Sequence, residues 1–125
     1  MIEFDQFKTE LNTKTEPLKA LEQALDLENK QKRIVELDRM MEEPDFWSDA
    51  EKANRLSTEV RHLKDEAESF YQLKTSYEDI DALIQMGREE GDESVIPEIR
   101  EMLSQFSEDL ENMNTTLLLS GEYDS

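Results

Sequence analysis

The sequence contains no cysteine, one histidine, three glycines and three prolines among its 125 residues. Without cysteine the chain can form no disulfide, no thiolate nucleophile and no zinc-finger site. One histidine, His62, is too few for a typical metal site or for a serine-based catalytic set, and the glycines form no phosphate-binding loop. We therefore predict a protein that is not an enzyme and has no catalytic residue, metal or cofactor, with His62 on the surface.

Positive charge is also scarce, since 14 basic residues stand against 32 acidic ones and the net charge is −18. Phosphate backbones and anionic membranes are bound by basic surfaces, so we expect no direct nucleic-acid binding by most of this domain. No apolar run approaches the roughly 20 residues that a membrane span requires. These features favour a cytoplasmic protein, and they allow a basic protein as a partner.

The negative charge is concentrated in the second half of the chain. Residues 76–125 hold fourteen acidic residues against only Arg88 and Arg100, whereas residues 51–75 hold five of each sign. Two interpretations are open: a solvated helical face that keeps the protein soluble, or a surface that steers a basic partner. Four acidic residues in one short turn are the candidate partner contact, although they lack the order and spacing of a calcium-binding loop. These are Glu89, Glu90, Asp92 and Glu93.

Apolar residues recur at helical spacing along most of the sequence. The pattern predicts helices over 2–25, with a kink or a split at Pro17, and over 27–42, with Asp26 as cap. From residue 49 to about 90 the apolar positions average 3.5 residues apart, the spacing of helices that pack lengthwise. The same spacing returns over 95–117, after a turn in which Gly91 ends one helix and Asp92 or Ser94 caps the next.

Short connections between these helices make neighbouring helices antiparallel. We therefore predict an all-α fold, an elongated antiparallel helical bundle of three coiled-coil-like strands. The long helix at about 49–90 is its spine.

The sequence Glu-Pro-Asp-Phe-Trp-Ser-Asp separates the long helix from the preceding one. Pro44 ends the earlier helix. Ser48 and Glu51 have the spacing of a capping box, which predicts the start of the next helix. Between them, Phe46 and Trp47 are interpreted as a hydrophobic plug that closes one end of the bundle. The alternative is an exposed aromatic that recognises a partner.

Three leucines at 117–119 precede Ser-Gly-Glu-Tyr-Asp near the end of the sequence. An apolar run followed by Gly and Asp is typical of a first strand or a connection. We expect residues 1–116 to form a helical domain and residues 117–125 to begin a further, truncated domain.

Four segments carry a resemblance to a known family. They are Leu-Asp-Leu-Glu at 25–28, Arg-Ile-Val-Glu-Leu at 33–37, Met-Met-Glu-Glu-Pro-Asp-Phe-Trp-Ser-Asp at 40–49, and Leu-Leu-Leu-Ser-Gly-Glu-Tyr-Asp at 117–124. The chain resembles the N-terminal region of the factor-two family of bacterial class I peptide chain release factors, which read the UGA and UAA stop codons. The Pro-Asp-Phe-Trp and Ser-Gly-Glu-Tyr-Asp segments are the most specific, because the UAG/UAA-reading paralogues do not usually carry them.

The resemblance implies a helical first domain, followed by domains that carry a codon-reading tripeptide and the Gly-Gly-Gln loop that promotes peptidyl-tRNA hydrolysis. Neither motif occurs in residues 1–125, so no catalytic or codon-reading residue carries over. Such first domains are understood to contact ribosomal stalk-base proteins and to influence recycling by the GTPase release factor. A monomer is expected. The rival hypothesis is a free-standing acidic coiled-coil adaptor or chaperone that forms a homodimer through its apolar stripes.

Overall fold

The computed structural model describes residues 2–121. No strand occurs in this range, so the predicted all-α helical bundle with one long helix is confirmed. Two short 3₁₀ turns, Phe46–Ser48 and Glu93–Val95, precede the last two helices. The helices are α1 (Ile2–Asn12), α2 (Thr15–Leu25), α3 (Leu27–Met41), α4 (Ala50–Glu90) and α5 (Ile96–Leu119).

Pro17 splits the first periodic segment into two helices, one of the two outcomes expected from the sequence. Proline has no N–H to donate to the carbonyl of Thr13, so the helical hydrogen-bond ladder cannot continue through this point. The chain closes α1 with bonds from the Thr13 N–H to the Thr9 carbonyl (3.3 Å) and from the Lys14 N–H to the Leu11 carbonyl (2.9 Å). Pro17 then lies in the first turn of α2, where its missing N–H costs no helical bond.

Asp26 alone separates α2 from α3. It occupies the N-cap position with φ 51° and ψ 56°, a left-handed conformation that Asp tolerates better than most residues. Its side chain makes no capping bond to the backbone and accepts instead from Nδ2 of Asn29, at 2.6 Å. The predicted helix start is therefore correct, and the predicted side-chain cap is wrong.

The chain divides into two compact units. The first unit is Met1–Leu25 together with Gln72–Ser125, and the second unit is Asp26–Tyr71, so that α4 supplies residues to both. In the first unit, α1 and α5 pack beside the later part of α4. The buried side chains of this unit include Phe4, Phe7, Leu11, Leu18, Leu21, Ile80, Ile84, Ile96, Ile99, Leu103, Phe106, Leu110 and Leu117.

Contacts within the first unit fix the directions of its helices. Lys8 pairs with Asp81 at 2.5 Å, and the hydroxyls of Thr15 and Tyr77 lie 2.7 Å apart. A later residue of α1 or α2 thus meets an earlier residue of α4, so these helices are antiparallel to α4. The rings of Tyr77 and Phe106, with centroids 6.0 Å apart, mark one of the contacts between α4 and α5.

The second unit is built on α3 and the first half of α4. Its core cluster consists of the buried side chains of Ile34, Leu37, Leu56 and Val60, with Met40, Met41, Phe46 and Leu63 packed against it. The ion pairs between these helices include Lys30 with Glu66 at 3.0 Å and Arg33 with Glu59 at 2.6 Å. The earlier residue of α3 pairs with the later residue of α4, so these two helices are antiparallel.

The three leucines near the end of the sequence are helical. Helix α5 continues through Leu119, and Leu117 is buried as the next member of the stripe that contains Leu110. The interpretation of residues 117–119 as the start of a strand is therefore wrong, because the helical period persists across them. Residues 122–125 lie outside the described residues, and a domain boundary at 116 stays a prediction.

Candidate partner-binding surfaces

The acidic turn, residues 89–93, is held by a backbone motif that ends α4. Gly91 has φ 62°, and its N–H donates to the Arg88 carbonyl at 3.4 Å. The Asp92 N–H donates to the Gly87 carbonyl at 2.9 Å. This pair of bonds is a Schellman motif, which requires one residue in the left-handed conformation. Glycine adopts that conformation without a side-chain clash. The turn is thus fixed in shape by its backbone, and Gly91 ends the helix where the sequence predicted.

The four acidic side chains of the turn are not equivalent. Asp92 is half-buried, and its carboxylate accepts from the backbone N–H of Ser94 at 3.0 Å and from the hydroxyl of the same residue. It therefore caps the 3₁₀ turn that leads into α5, as one of the two predicted candidates. Glu89, Glu90 and Glu93 are exposed, and Glu89 accepts from Nε2 of Gln85 at 3.1 Å. Three carboxylates remain on the surface of the turn.

The nearest basic side chain does not neutralise the turn. Arg88 donates from Nη2 to the Asp5 carboxylate on α1, at 2.7 Å. Arg100, the other base of residues 76–125, lies 3.5 Å from Glu3 and places its guanidinium 5.8 Å from the Phe7 ring centroid. Both arginines are engaged with α1, so the negative field of the turn stays largely uncompensated by them.

Among the described residues, no group of three or more His, Cys, Asp or Glu side chains is placed to hold a metal ion. His62 is exposed, with Nε2 at 3.3 Å from Oε1 of Glu66 one turn along α4, so its predicted surface position is confirmed. Within residues 2–121 we find no helix that combines the length and the apolar character of a membrane span.

Of the two aromatic residues before α4, one side chain points into the core and the other points to solvent. Phe46 packs against the core cluster of the second unit, whereas Trp47 is 57% exposed. Their rings meet edge to face, with centroids 4.8 Å apart and planes at 86°. The plug interpretation is therefore wrong for Trp47. Consecutive residues of a 3₁₀ turn point about 120° apart, so both rings cannot enter the same core.

Helix α4 is capped by Asp49, not by Ser48. The helix begins at Ala50, and the Lys52 N–H donates to Oδ1 of Asp49 at 3.1 Å. Ser48 belongs to the 3₁₀ turn, where its N–H donates to the Asp45 carbonyl at 3.1 Å. The predicted capping box of Ser48 and Glu51 is wrong by one residue, because aspartate is an equally good N-cap and the Ser-x-x-Glu match concealed it.

A second acidic stretch includes Trp47, and its charge was not singled out from the sequence. The stretch 42–51 holds five acidic residues and no basic one, and all five are exposed. The signal was present in the sequence as a run of acidic residues beside an aromatic residue whose exposure was the alternative interpretation. The five residues are Glu42, Glu43, Asp45, Asp49 and Glu51.

Comparison with known proteins identifies the family of this chain. The family model described as the PCRF domain matches residues 30–125. The chain belongs to the PCRF domain family. This assignment agrees with the resemblance noted in the sequence.

Relatives of this PCRF domain are named peptide chain release factor 2. The protein of that name from Staphylococcus epidermidis is 34% identical over 124 residues, 99% of this chain and 33% of the relative. The one from Saccharopolyspora erythraea is 33% identical over 107 residues, 86% of this chain and 29% of the relative. The one from Clostridium perfringens is 30% identical over 124 residues, 99% of this chain and 34% of the relative. The chain spans about a third of the length of each.

Proposed function

We propose that this chain is the helical first domain of a bacterial release factor that directs polypeptide release at UGA and UAA codons. The observation that carries the proposal is the PCRF match across residues 30–125, together with relatives named peptide chain release factor 2. The Pro-Asp-Phe-Trp and Ser-Gly-Glu-Tyr-Asp segments support factor two in particular. The protein acts on ribosomes in the cytoplasm.

Within that factor the domain is a non-catalytic module that contacts basic proteins at the ribosomal stalk base and influences recycling by the GTPase release factor. The net charge of −18 supports a protein contact over an RNA contact, because RNA phosphates and this surface repel each other.

The acidic turn is the contact for such a basic protein. Glu89, Glu90 and Glu93 supply exposed charge, and the Schellman motif holds their backbone in one shape. Asp92 has a different part, since its bonds to Ser94 shape the turn. A fixed turn loses little conformational entropy on binding, and an unneutralised charge accelerates association with a basic surface.

The test is a charge reversal in the full-length protein. Because Asp92 caps a turn, it is left unchanged, and Glu89→Lys, Glu90→Lys and Glu93→Lys are combined. We expect association with ribosomes to slow by about tenfold or more at low salt, with a weaker salt dependence. The measurement is stopped-flow binding over a range of ionic strength, followed by the rate of factor recycling.

The matched control changes the same total charge elsewhere in the first unit. Glu101→Lys, Glu108→Lys and Glu111→Lys alter three exposed acidic residues of α5. Equal losses from both triple variants would show that only net charge matters. Unchanged binding and recycling in the turn variant would overturn the turn as a contact.

We also propose that residues 117–125 begin the next domain and that the protein is a monomer. Leu118 and Leu119 are exposed on α5, which suits side chains that pack against a following domain. Most residues of the apolar stripes are buried within their own unit, which supports a monomer. Sedimentation equilibrium should give the monomer mass; a dimer would favour the adaptor hypothesis.

A further inference from the structure

Trp47 is the single tryptophan of the chain, and it is more than half exposed. It does not lie on a loose segment. Phe46 packs against the core cluster of the second unit and holds the indole edge to face, while the Asp49 cap fixes the residue that follows the turn. The indole is thus presented at a defined place on the surface.

Folding of the second unit does not account for this exposure. Phe46 supplies the apolar contact to the core, and Asp49 supplies the helix cap. Tryptophan is enriched among the residues that contribute most to protein–protein binding, because its rigid ring supplies a large contact area.

The charge of the residues that flank Trp47 in the sequence indicates the kind of partner. Five exposed carboxylates lie within residues 42–51, and the first basic residues on either side are Arg39 and Lys52. A phosphate backbone would be repelled there, whereas a lysine or arginine side chain is attracted both by the carboxylates and by the face of the ring. The complementary surface therefore belongs to a basic protein.

We propose that Trp47 and the carboxylates flanking it form a second contact of this domain, one that accepts a lysine or arginine side chain of a basic ribosomal protein against the indole. The inference rests on the proposed function, since it takes the ribosome as the source of the partner. It lies in the second unit, and the acidic turn lies in the first.

The experiment measures ribosome affinity of the full-length protein carrying Trp47→Ala. This change keeps every charge, so it separates the ring from the electrostatic attraction. We expect affinity to fall about tenfold, the order of effect of losing an interface tryptophan. The salt dependence should stay close to that of the unaltered protein, because no carboxylate is removed.

Tyr71→Ala is the matched control, since Tyr71 is another aromatic of the second unit that is 46% exposed and meets a phenylalanine edge on. Its affinity should equal that of the unaltered protein. A denaturant midpoint measured for both variants checks that they fold equally well. Should Trp47→Ala weaken the fold, Trp47→Phe keeps an aromatic ring of smaller area and should lose affinity only in part.

The outcomes distinguish the two proposals. If the triple turn variant loses affinity while Trp47→Ala binds as tightly as the unaltered protein, the second contact is wrong and the proposed function stands. Equal losses from Trp47→Ala and Tyr71→Ala would also overturn it. If the unaltered protein does not bind ribosomes at all, the proposed function is wrong and this inference falls with it.

Discussion

The two compact units use charge in different ways. The second unit, residues 26–71, has eight basic and thirteen acidic residues, whereas the first unit has six and nineteen. In the second unit three cations bridge α3 to α4: Lys30 to Glu66, Arg33 to Glu59, and Lys64 to Asp38 at 3.2 Å. In the first unit the nineteen acidic residues outnumber the six basic ones, so most of them have no cation available to pair with.

Their cores differ in size. Each unit buries phenylalanine almost completely, Phe4 and Phe106 in the first and Phe70 in the second, but among the described residues the first unit buries fifteen hydrophobic side chains and the second unit eight. A larger apolar core contributes most of the stability of the first unit, whose ion pairs, such as Lys8 with Asp81, are partly exposed. The unit with more unneutralised charge is therefore also the one with the larger apolar core.

The largest expected effect comes from breaking the aromatic core. Phe4→Ala removes a fully buried ring and should lower the free energy of unfolding by about 3–5 kcal/mol. Ile2→Ala, an exposed change in the same helix, should alter it by less than about 0.5 kcal/mol. Denaturant titration gives both values. If Phe4→Ala cost no more than Ile2→Ala, the first unit would not depend on this core.

Gly87→Ala tests how closely α1 approaches α4. A Cβ at position 87 would lie 2.6 Å from Cε1 of Phe4 and 2.9 Å from Cγ2 of Val95. Such overpacking costs about 1–3 kcal/mol, against a gain of up to about 1 kcal/mol in helix propensity. We expect a net loss of stability on thermal or denaturant unfolding.

Phe4→Leu supplies the second arm of a double-mutant cycle with Gly87→Ala. A smaller side chain on α1 should relieve the clash, so the double variant should be more stable than the sum of the two single losses predicts. Strict additivity, or a Gly87→Ala variant that is more stable than the unaltered protein, would contradict the close approach.

The smallest expected effect is electrostatic and belongs to the second unit. Hydrogen bonds from the Arg33 guanidinium, at 2.6 and 3.0 Å, hold the pKa of Glu59 below its usual range. The ionised carboxylate therefore stabilises the fold above its unfolded pKa of about 4.3. That contribution disappears as pH falls through the lower pKa of the folded state.

Glu59→Gln should accordingly be less stable than the unaltered protein at pH 7, and the difference should vanish in acid. Denaturant midpoints measured between pH 7 and pH 3 give the profile. Asp65→Asn, an exposed charge removal on the same helix, is the control. A stability difference that did not depend on pH or salt would show that the ion pair contributes nothing specific to the second unit.

Local patterns were enough to predict most of the fold. The 3.5-residue spacing predicted α4, Pro17 predicted a kink or a split in the first helical segment, and Gly91 predicted the end of α4, because each depends on the chain's own period or backbone chemistry. The ion pair of Arg33 with Glu59 was not predictable in this way, since it depends on how α3 and α4 align in three dimensions.

The candidate surfaces were predicted less completely. The acidic turn is visible as a run of charge, and the structure adds that Asp92 shapes it while three glutamates face solvent. Trp47 was interpreted as a plug because aromatic residues near turns usually pack into a core, and its exposure matches the alternative that was left open. The geometry of one 3₁₀ turn decides which of two adjacent rings enters the core.

The most direct test of the central claim is a site-specific cross-link from the acidic turn. Because residues 1–125 contain no cysteine, Glu90→Cys in a full-length protein freed of any other cysteine accepts a photoactivatable thiol reagent at one place. We predict that illumination on ribosomes attaches it to a basic ribosomal protein, and that Glu108→Cys on α5 gives little product. Cross-linking to ribosomal RNA, or equal products from both positions, would contradict the account.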